Sequence, residues 1–387
     1  MSLYIVVWGF LCLFTVKGAV ARESRTAQQM AFWGCFLVLA AMLVFRYGQG
    51  TDYFAYQYYY YQMSDVTLHV PVEGVHGEIG YQFLTNVFRL LHLPFEAFVA
   101  FLSIIQMGCL LRFLYRYHIN CAFSLLLAVP TLYFTYFVSG LRQGAVLSIF
   151  LGILFPMLEK KQYLRYLIGT VLCLLLHSVA IVFFAALIAQ KIRKISSLQI
   201  FTVLAWVLGV LIATPPAQSL IAASDTWAIR YYLRVSNISL AAAAERLLFL
   251  AVVTWLYYKL KQYRKCNDIF TLAYRCYLMA MALYGLLLCN GTTASRMTSG
   301  MRYVEIYLLV YAIRQMPRFS RYLVTLALIF LETFMLFKNI SAAIPQGLYR
   351  SDFNVFNFPY VSVFDEEKIY EYREIPLSYI NLPERQK

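Results

Sequence analysis

Apolar runs parted by short polar stretches recur along nearly the whole chain. A helix needs about 20 apolar residues to cross the hydrocarbon of a bilayer. The pattern therefore predicts spans at about 3–17, 28–46, 95–111, 119–139, 142–158, 198–214, 242–258, 267–289, 301–316 and 320–340. One apolar stretch, 163–190, does not fit as a single span, because Lys160, Lys161 and Arg165 precede it and Lys191, Arg193 and Lys194 follow it. Basic residues favour the cytoplasmic side. A single crossing would put one of these clusters outside. Two short helices meeting near Leu176–Val179 return both to the inside. Each half then has about 14 residues and a length of about 21 Å, too short to cross alone, so the pair needs shielding by other helices. The expected fold is an all-α polytopic membrane protein of about 10–12 membrane helices, counting this broken pair.

With that choice the alternation closes. The N-terminus lies outside, and the inside loops collect 18 of the 33 basic residues, among them Lys17, Arg22, Arg25, Arg112, Arg116, Lys259, Lys261, Arg264, Lys265, Arg314, Arg318 and Arg321. The outside receives a long loop at 47–94 and shorter loops near 139–142, 215–241 and 290–302. The chain divides into a membrane part, 1–344, and a polar outer tail, 345–387, whose acids include Asp352, Asp365, Glu366, Glu367, Glu371, Glu374 and Glu384.

Composition agrees with lipid as the solvent. Hydrophobic residues make up 61% and charged residues 13%, where a water-soluble domain carries about a quarter charged. The net charge of +14 does not point to nucleic acid, because the bases form short clusters between apolar runs where a phosphate-backbone binder needs a continuous basic face. The eight cysteines lie in or beside apolar segments without CxxC or metal spacing. They read as small core residues. No basic stretch precedes the first apolar run, so no cleavable signal peptide is expected.

Chemistry gathers on the outer side. Before the tail its bases are Arg46, Arg89, Arg142, Arg230, Arg234, Arg246, Arg296 and Arg302, with no lysine, whereas the inside loops hold eight lysines. A guanidinium grips phosphate or carboxylate oxygens in pairs and stays charged where water is scarce. A set of arginines at one face therefore suggests a bound anion; pairing with local acids or headgroups is the alternative. In Arg46-Tyr47-Gly48-Gln49-Gly50-Thr51-Asp52-Tyr53, at the outer end of the second span, a carboxylate follows an arginine. Asp52 is either a general base for an acceptor hydroxyl or an orienting partner for Arg46. The aromatics from Tyr53 to Tyr61 suit an interfacial belt or a stacking platform for sugars equally. Glu78, in Gly77-Glu78-Ile79-Gly80-Tyr81, is a second candidate acid that either shares a cavity with Asp52 or serves the fold, for instance by pairing with Arg89. Arg142, in Ser139-Gly140-Leu141-Arg142-Gln143-Gly144, opens an apolar helix, where free amides favour anions. His177 stands alone deep in an apolar segment, at the break of the short pair. Such a residue serves either as an interhelical donor or in a site.

In order along the chain, RYGQGTDY, GEIGYQFL, SGLRQG, LLLHSVAIVF and an outer Arg-Tyr before a late span resemble the EpsG family, which belongs with the Wzy-type bacterial polysaccharide polymerases. The similarity runs from about 46 to 303, and Phe358-Pro359-Tyr360 in the tail is also typical. The resemblance implies a multi-pass enzyme of the bacterial plasma membrane that works on its outer face. It takes oligosaccharide repeat units linked through diphosphate to a polyprenyl lipid and joins them into O-antigen, capsule or exopolysaccharide. On this reading Asp52 or Glu78 takes the acceptor proton and His177 bonds a phosphate or acts as an acid. Arg142, Arg296, Arg302 and Arg46 neutralise the departing diphosphate, with Gln143, Tyr53 and Tyr81 as further substrate contacts. The outer loops carry no P-loop and no DxD pair, so no metal or other cofactor is expected. Beyond the lipid-linked oligosaccharide and membrane lipid, a chain-length regulator and other assembly proteins are the expected partners. A flippase for the same lipid-linked sugars, a scaffold, and a transferase of single sugars from polyprenyl phosphate are the alternatives. The flippase predicts an inverted repeat and a basic path through both leaflets, and neither is evident.

Overall fold

A computed structural model describes residues 1–20, 25–62, 77–192, 194–236 and 238–375. Arg22, Arg193 and Glu384, used above to orient the chain, lie outside the described residues, as does the middle of the 47–94 loop.

The chain is an all-α polytopic membrane protein. Among the described residues, eight helices are long and apolar enough to cross a membrane: Thr26–Val44, Phe95–Arg116, Ala122–Ser139, Leu141–Glu159, Ile195–Ile212, Leu240–Gln262, Asp268–Leu286 and Arg318–Gln346. Three shorter apolar helices, Leu3–Ala19, Tyr163–Leu176 and Ser178–Lys191, join them. Their outward surfaces are largely apolar. On Ile195–Ile212 the exposed side chains include Ile200, Val203, Leu204, Val207, Leu208 and Leu211. In water each such side chain would forgo about 1.5–3 kcal/mol of burial; lipid removes that cost.

The stretch 163–190 is the broken pair that its flanking charges predict. The helix Tyr163–Leu176 ends at His177, a 3₁₀ turn Ser178–Val182 follows, and Phe183–Lys191 returns. The Tyr166 hydroxyl donates to the Phe183 carbonyl at 2.6 Å, and the Lys191 ammonium lies 4.7 Å from the centre of the Tyr163 ring. Tyr163 and Lys191, which adjoin the two basic clusters, therefore lie at one end of the pair.

Elsewhere hydropathy alone misreads several segments. The expected loop near 290–302 is the helix Gly291–Arg302, and the expected span 301–316 is the shorter helix Glu305–Arg314. The sequence Gly-Thr-Thr-Ala-Ser-Arg is polar, but the Asn290 side chain caps it by accepting the Thr293 N–H at 3.1 Å. An N-cap supplies an acceptor for amides that have no helical partner. The aromatic run is also helical, over Tyr53–Gln62, with Tyr53, Phe54, Tyr56 and Tyr60 buried. The expected 215–241 loop holds the short helices Pro215–Ala222 and Trp227–Leu233.

Two compact units divide the chain. The first is made of residues 1–152, 172–178 and 316–387; the second of 153–171 and 179–315. In the first, the segment Val129–Ser139 is wound as a π-helix, a form that concentrates at functional sites. The tail packs into this unit, with Phe358 against Tyr4 and Phe134 and the Tyr360 hydroxyl on the Met42 carbonyl at 3.2 Å.

Candidate functional site

Glu78 is the residue before the helix Ile79–Leu90. Gly80, one turn on, lets that helix touch the end of Tyr163–Leu176: a Cβ there would stand 2.7 Å from the Leu175 Cβ and 2.8 Å from its carbonyl oxygen. This close approach brings Glu78 to the helix break. Its Oε1 accepts the Ser178 N–H at 2.8 Å, and its Oε2 meets Arg142 Nη1 at 2.5 Å. Three segments far apart in sequence thus meet in one place: the loop before Ile79, the start of the helix Leu141–Ile149, and the His177–Ser178 break.

The electrostatics follow from this geometry. Burial by itself pushes the Glu78 carboxyl up, but Arg142, the Ser178 N–H and the nearby His177 outweigh it and hold the carboxyl below its usual range. The acid is therefore ionised at neutral pH. Arg142 is nearly buried, yet the Glu78 side chain keeps 25% exposure. The guanidinium carbon of Arg142 also lies 4.8 Å from the Tyr81 ring centre and 5.5 Å from that of Tyr56, an arrangement that favours a cation by the ring quadrupole. Gln143 is buried beside it in the same helix, and His177 is half-buried.

The RYGQGTDY segment has a different neighbourhood. Arg46 is buried, and its guanidinium donates to the Leu43 carbonyl, to Ser103 Oγ at 2.7 Å and to the Phe137 carbonyl at 3.2 Å. Tyr53 packs among Tyr47, Phe54 and Phe95. Asp52 accepts from the Thr51 hydroxyl at 2.9 Å and lines a cleft of about 240 Å³ with Thr51, Ala55, Arg373 and Glu374. Asp52 and Glu78 thus have different partners, and Glu78 pairs with Arg142.

In the second unit a further group of charges is buried. Glu245 meets Arg246 at 2.5 Å and Arg302 at 3.1 Å, and Arg302 Nε lies 3.1 Å from Glu305 Oε1. All four side chains are less than a tenth exposed. Arg296, the other late arginine predicted to bind an anion, is exposed. Sequence reading missed Glu245 and Glu305. The available signals were the adjacent pair Glu245-Arg246 inside an apolar run and the three-residue spacing from Arg302 to Glu305, which puts both on one helical face.

An α-helical multi-pass protein with an acid and an arginine drawn together at a helix break is the class that fold and site define. The EpsG family profile matches residues 31–362, and the chain belongs to the EpsG family. That family is associated with Wzy-like polysaccharide polymerases. No curated protein and no solved structure matches the chain.

Proposed function

We propose that this protein polymerises polyprenyl-diphosphate-linked oligosaccharide repeat units on the outer face of the bacterial plasma membrane, by a glycosyl transfer that needs no metal. What supports the reading, beside the family, is the meeting of Glu78, Arg142 and the His177–Ser178 break, because three of the motifs that carry the resemblance come together around one cation. In this proposal Arg142 takes the leaving diphosphate, with Gln143 and Tyr81 shaping its surroundings. Glu78 holds the guanidinium in place until the anion arrives and shares it afterwards. Fixed donors aimed at developing charge are the main source of catalysis in such transfers. In the same proposal His177 bonds a phosphate oxygen or delivers a proton to it. Asp52, in the wall of its cleft, takes the proton of the acceptor hydroxyl.

Arg46 and Arg302 we assign to the fold, since their donors already meet carbonyls or carboxylates. Arg296 remains a contact for the lipid carrier's charge. The orientation, with both termini outside, and the polysaccharide-assembly partners belong to the same proposal. The test is a surface-polysaccharide ladder from a deletion strain complemented with wild type, Asp52→Asn or Arg142→Ala at matched membrane levels. Collapse to single repeat units in both variants is expected. If deletion instead abolishes surface sugar and lipid-linked units accumulate inside, the protein is a flippase.

A further inference from the structure

The tail segment beyond residue 362, outside the family match, contributes the group that fixes the Asp52 loop. The loop has an unusual backbone: φ is +62° at Gly48 and +93° at Gly50. Left-handed conformations of this kind are open to glycine but are not held by it. On one side the loop rests against the end of the π-helix, where a Cβ on Gly50 would stand 2.5 Å from the Val138 carbonyl oxygen and where the Thr51 N–H donates to Ser139 Oγ at 3.3 Å. On the other side it meets the tail. Ile369 fills the space beside Gly48, where a Cβ would lie 2.4 Å from Ile369 Cγ1. Next to it, Arg373 Nη1 donates to the Gly48 carbonyl at 2.5 Å and to the Gly50 carbonyl at 3.0 Å, while its Nε donates to the Gly347 carbonyl at 2.5 Å.

One buried guanidinium therefore ties together both glycine carbonyls of the loop and the end of the last long helix. The guanidinium carbon also lies 5.0 Å from the Phe54 ring centre and 4.9 Å from that of Tyr349. An antiparallel bridge from Tyr349 to Arg373 fixes its backbone as well. Arg373 lines the 240 Å³ cleft together with Asp52. A lysine ammonium could not span these three carbonyls, because it lacks the planar fork.

We infer that Arg373 is a positioning residue: it clamps the Gly48–Gly50 turn to the tail, and so sets the carboxylate of Asp52 in its cleft for the acceptor. The inference rests on the proposed role of Asp52, and its test separates the two. In the full-length protein in membranes, Ala55→Cys places a thiol in the cleft wall, and its labelling by an impermeant maleimide, above the background of the native cysteines, reports how closed the cleft is. Adding Arg373→Ala is expected to raise labelling severalfold. In the otherwise native chain Arg373→Ala should lower polymer about 10²-fold, the scale expected when a reacting group moves by about 1 Å. Added guanidinium should restore part of both readouts in Arg373→Ala, and Arg373→Lys should recover neither fully. Lys368→Ala, an exposed tail control paired only to Asp365 among its ion pairs, should behave as wild type. Unchanged labelling in Arg373→Ala, or raised labelling with undiminished polymer, would overturn the inference. Normal polymer from Asp52→Asn would remove the role of the acid, while the labelling result would still decide whether Arg373 clamps the turn.

Discussion

The two units each bury arginine against carboxylate, and they do so differently. In the first, one guanidinium faces one carboxylate that remains a quarter exposed and spends its other oxygen on a backbone N–H at a helix break. In the second, two arginines and two glutamates close on one another with every side chain below a tenth exposed. A balanced, closed quartet needs nothing from outside. It makes sense as a means of keeping four charges within an apolar bundle, since buried ions are tolerated only when paired. In the proposed reading, the open pair at a break in the helical framework is where an incoming anion would meet a guanidinium. The difference teaches that residue type alone does not tell a candidate binding arginine from an internal tie: the partners around each one differ.

The sharpest way to break this comparison is to remove one acid from the quartet. Glu245→Ala leaves Arg246 and Arg302 without the carboxylate they share, and an uncompensated buried charge costs about 3–5 kcal/mol. The expected outcome is a marked fall in thermal stability in detergent and in membrane level, with polymer falling only in proportion to the protein present. If Glu245→Ala keeps wild-type stability and loses polymer, the quartet is the site and the assignment of the two clusters is reversed.

Arg142→Ala is the complementary change. Glu78, partly exposed, can turn to water once its partner is gone, so stability should change little. Polymer per molecule should fall about 10²–10³-fold, the usual loss on removing one donor to developing negative charge. A ladder assay with matched membrane levels measures it. Equal losses of stability and polymer would make Arg142 another internal tie.

Much of the architecture was legible because membrane helices declare themselves by length and hydropathy, and even the broken pair followed from the charges at its two ends. The segments that escaped are those whose helicity owes nothing to apolar length. Gly291–Arg302 forms on a cap and on packing of its small residues, and Tyr53–Gln62 forms by burying one side of an aromatic run. The candidate site was legible only as a set of residue types. Glu78 and Arg142 are 64 positions apart, and Arg302 and Glu245 are 57 apart. Nothing local distinguishes an arginine that meets a carboxylate from Arg46, which meets carbonyls. Arg373 lay in a stretch that reads as a polar appendage, because its function depends on two glycine carbonyls more than 300 residues earlier.

Within the first cluster the role of Glu78 can be sharpened by Glu78→Gln. The amide keeps the shape and an oxygen for the Ser178 N–H but loses the charge that holds Arg142. A charge-assisted hydrogen bond exceeds a neutral one by about 1 kcal/mol, so polymer should fall several-fold and much less than in Arg142→Ala. If Glu78→Gln is as damaging as Arg142→Ala, the carboxylate itself takes part in the chemistry and the proton acceptor is Glu78 in place of Asp52.

The smallest effect is one of pH. The Glu78 carboxyl is held below its usual range in the folded protein by Arg142, the Ser178 N–H and His177, which together outweigh the opposing effect of burial. A group whose folded pKa is depressed adds stability that is fully present above its unfolded value, about 4.3 for a glutamate, and that is lost as pH falls through the folded value. From neutrality down to about pH 5 the pair should therefore contribute a constant amount. Below that, the stability difference between wild type and Glu78→Gln should shrink. Partial exposure screens the contribution, so the whole change should remain small beside that of Glu245→Ala. Thermal unfolding of both proteins in detergent across the acidic range measures it. A difference that grows on acidification would mean that the folded state favours the protonated acid, and that Arg142 does not hold the carboxylate ionised.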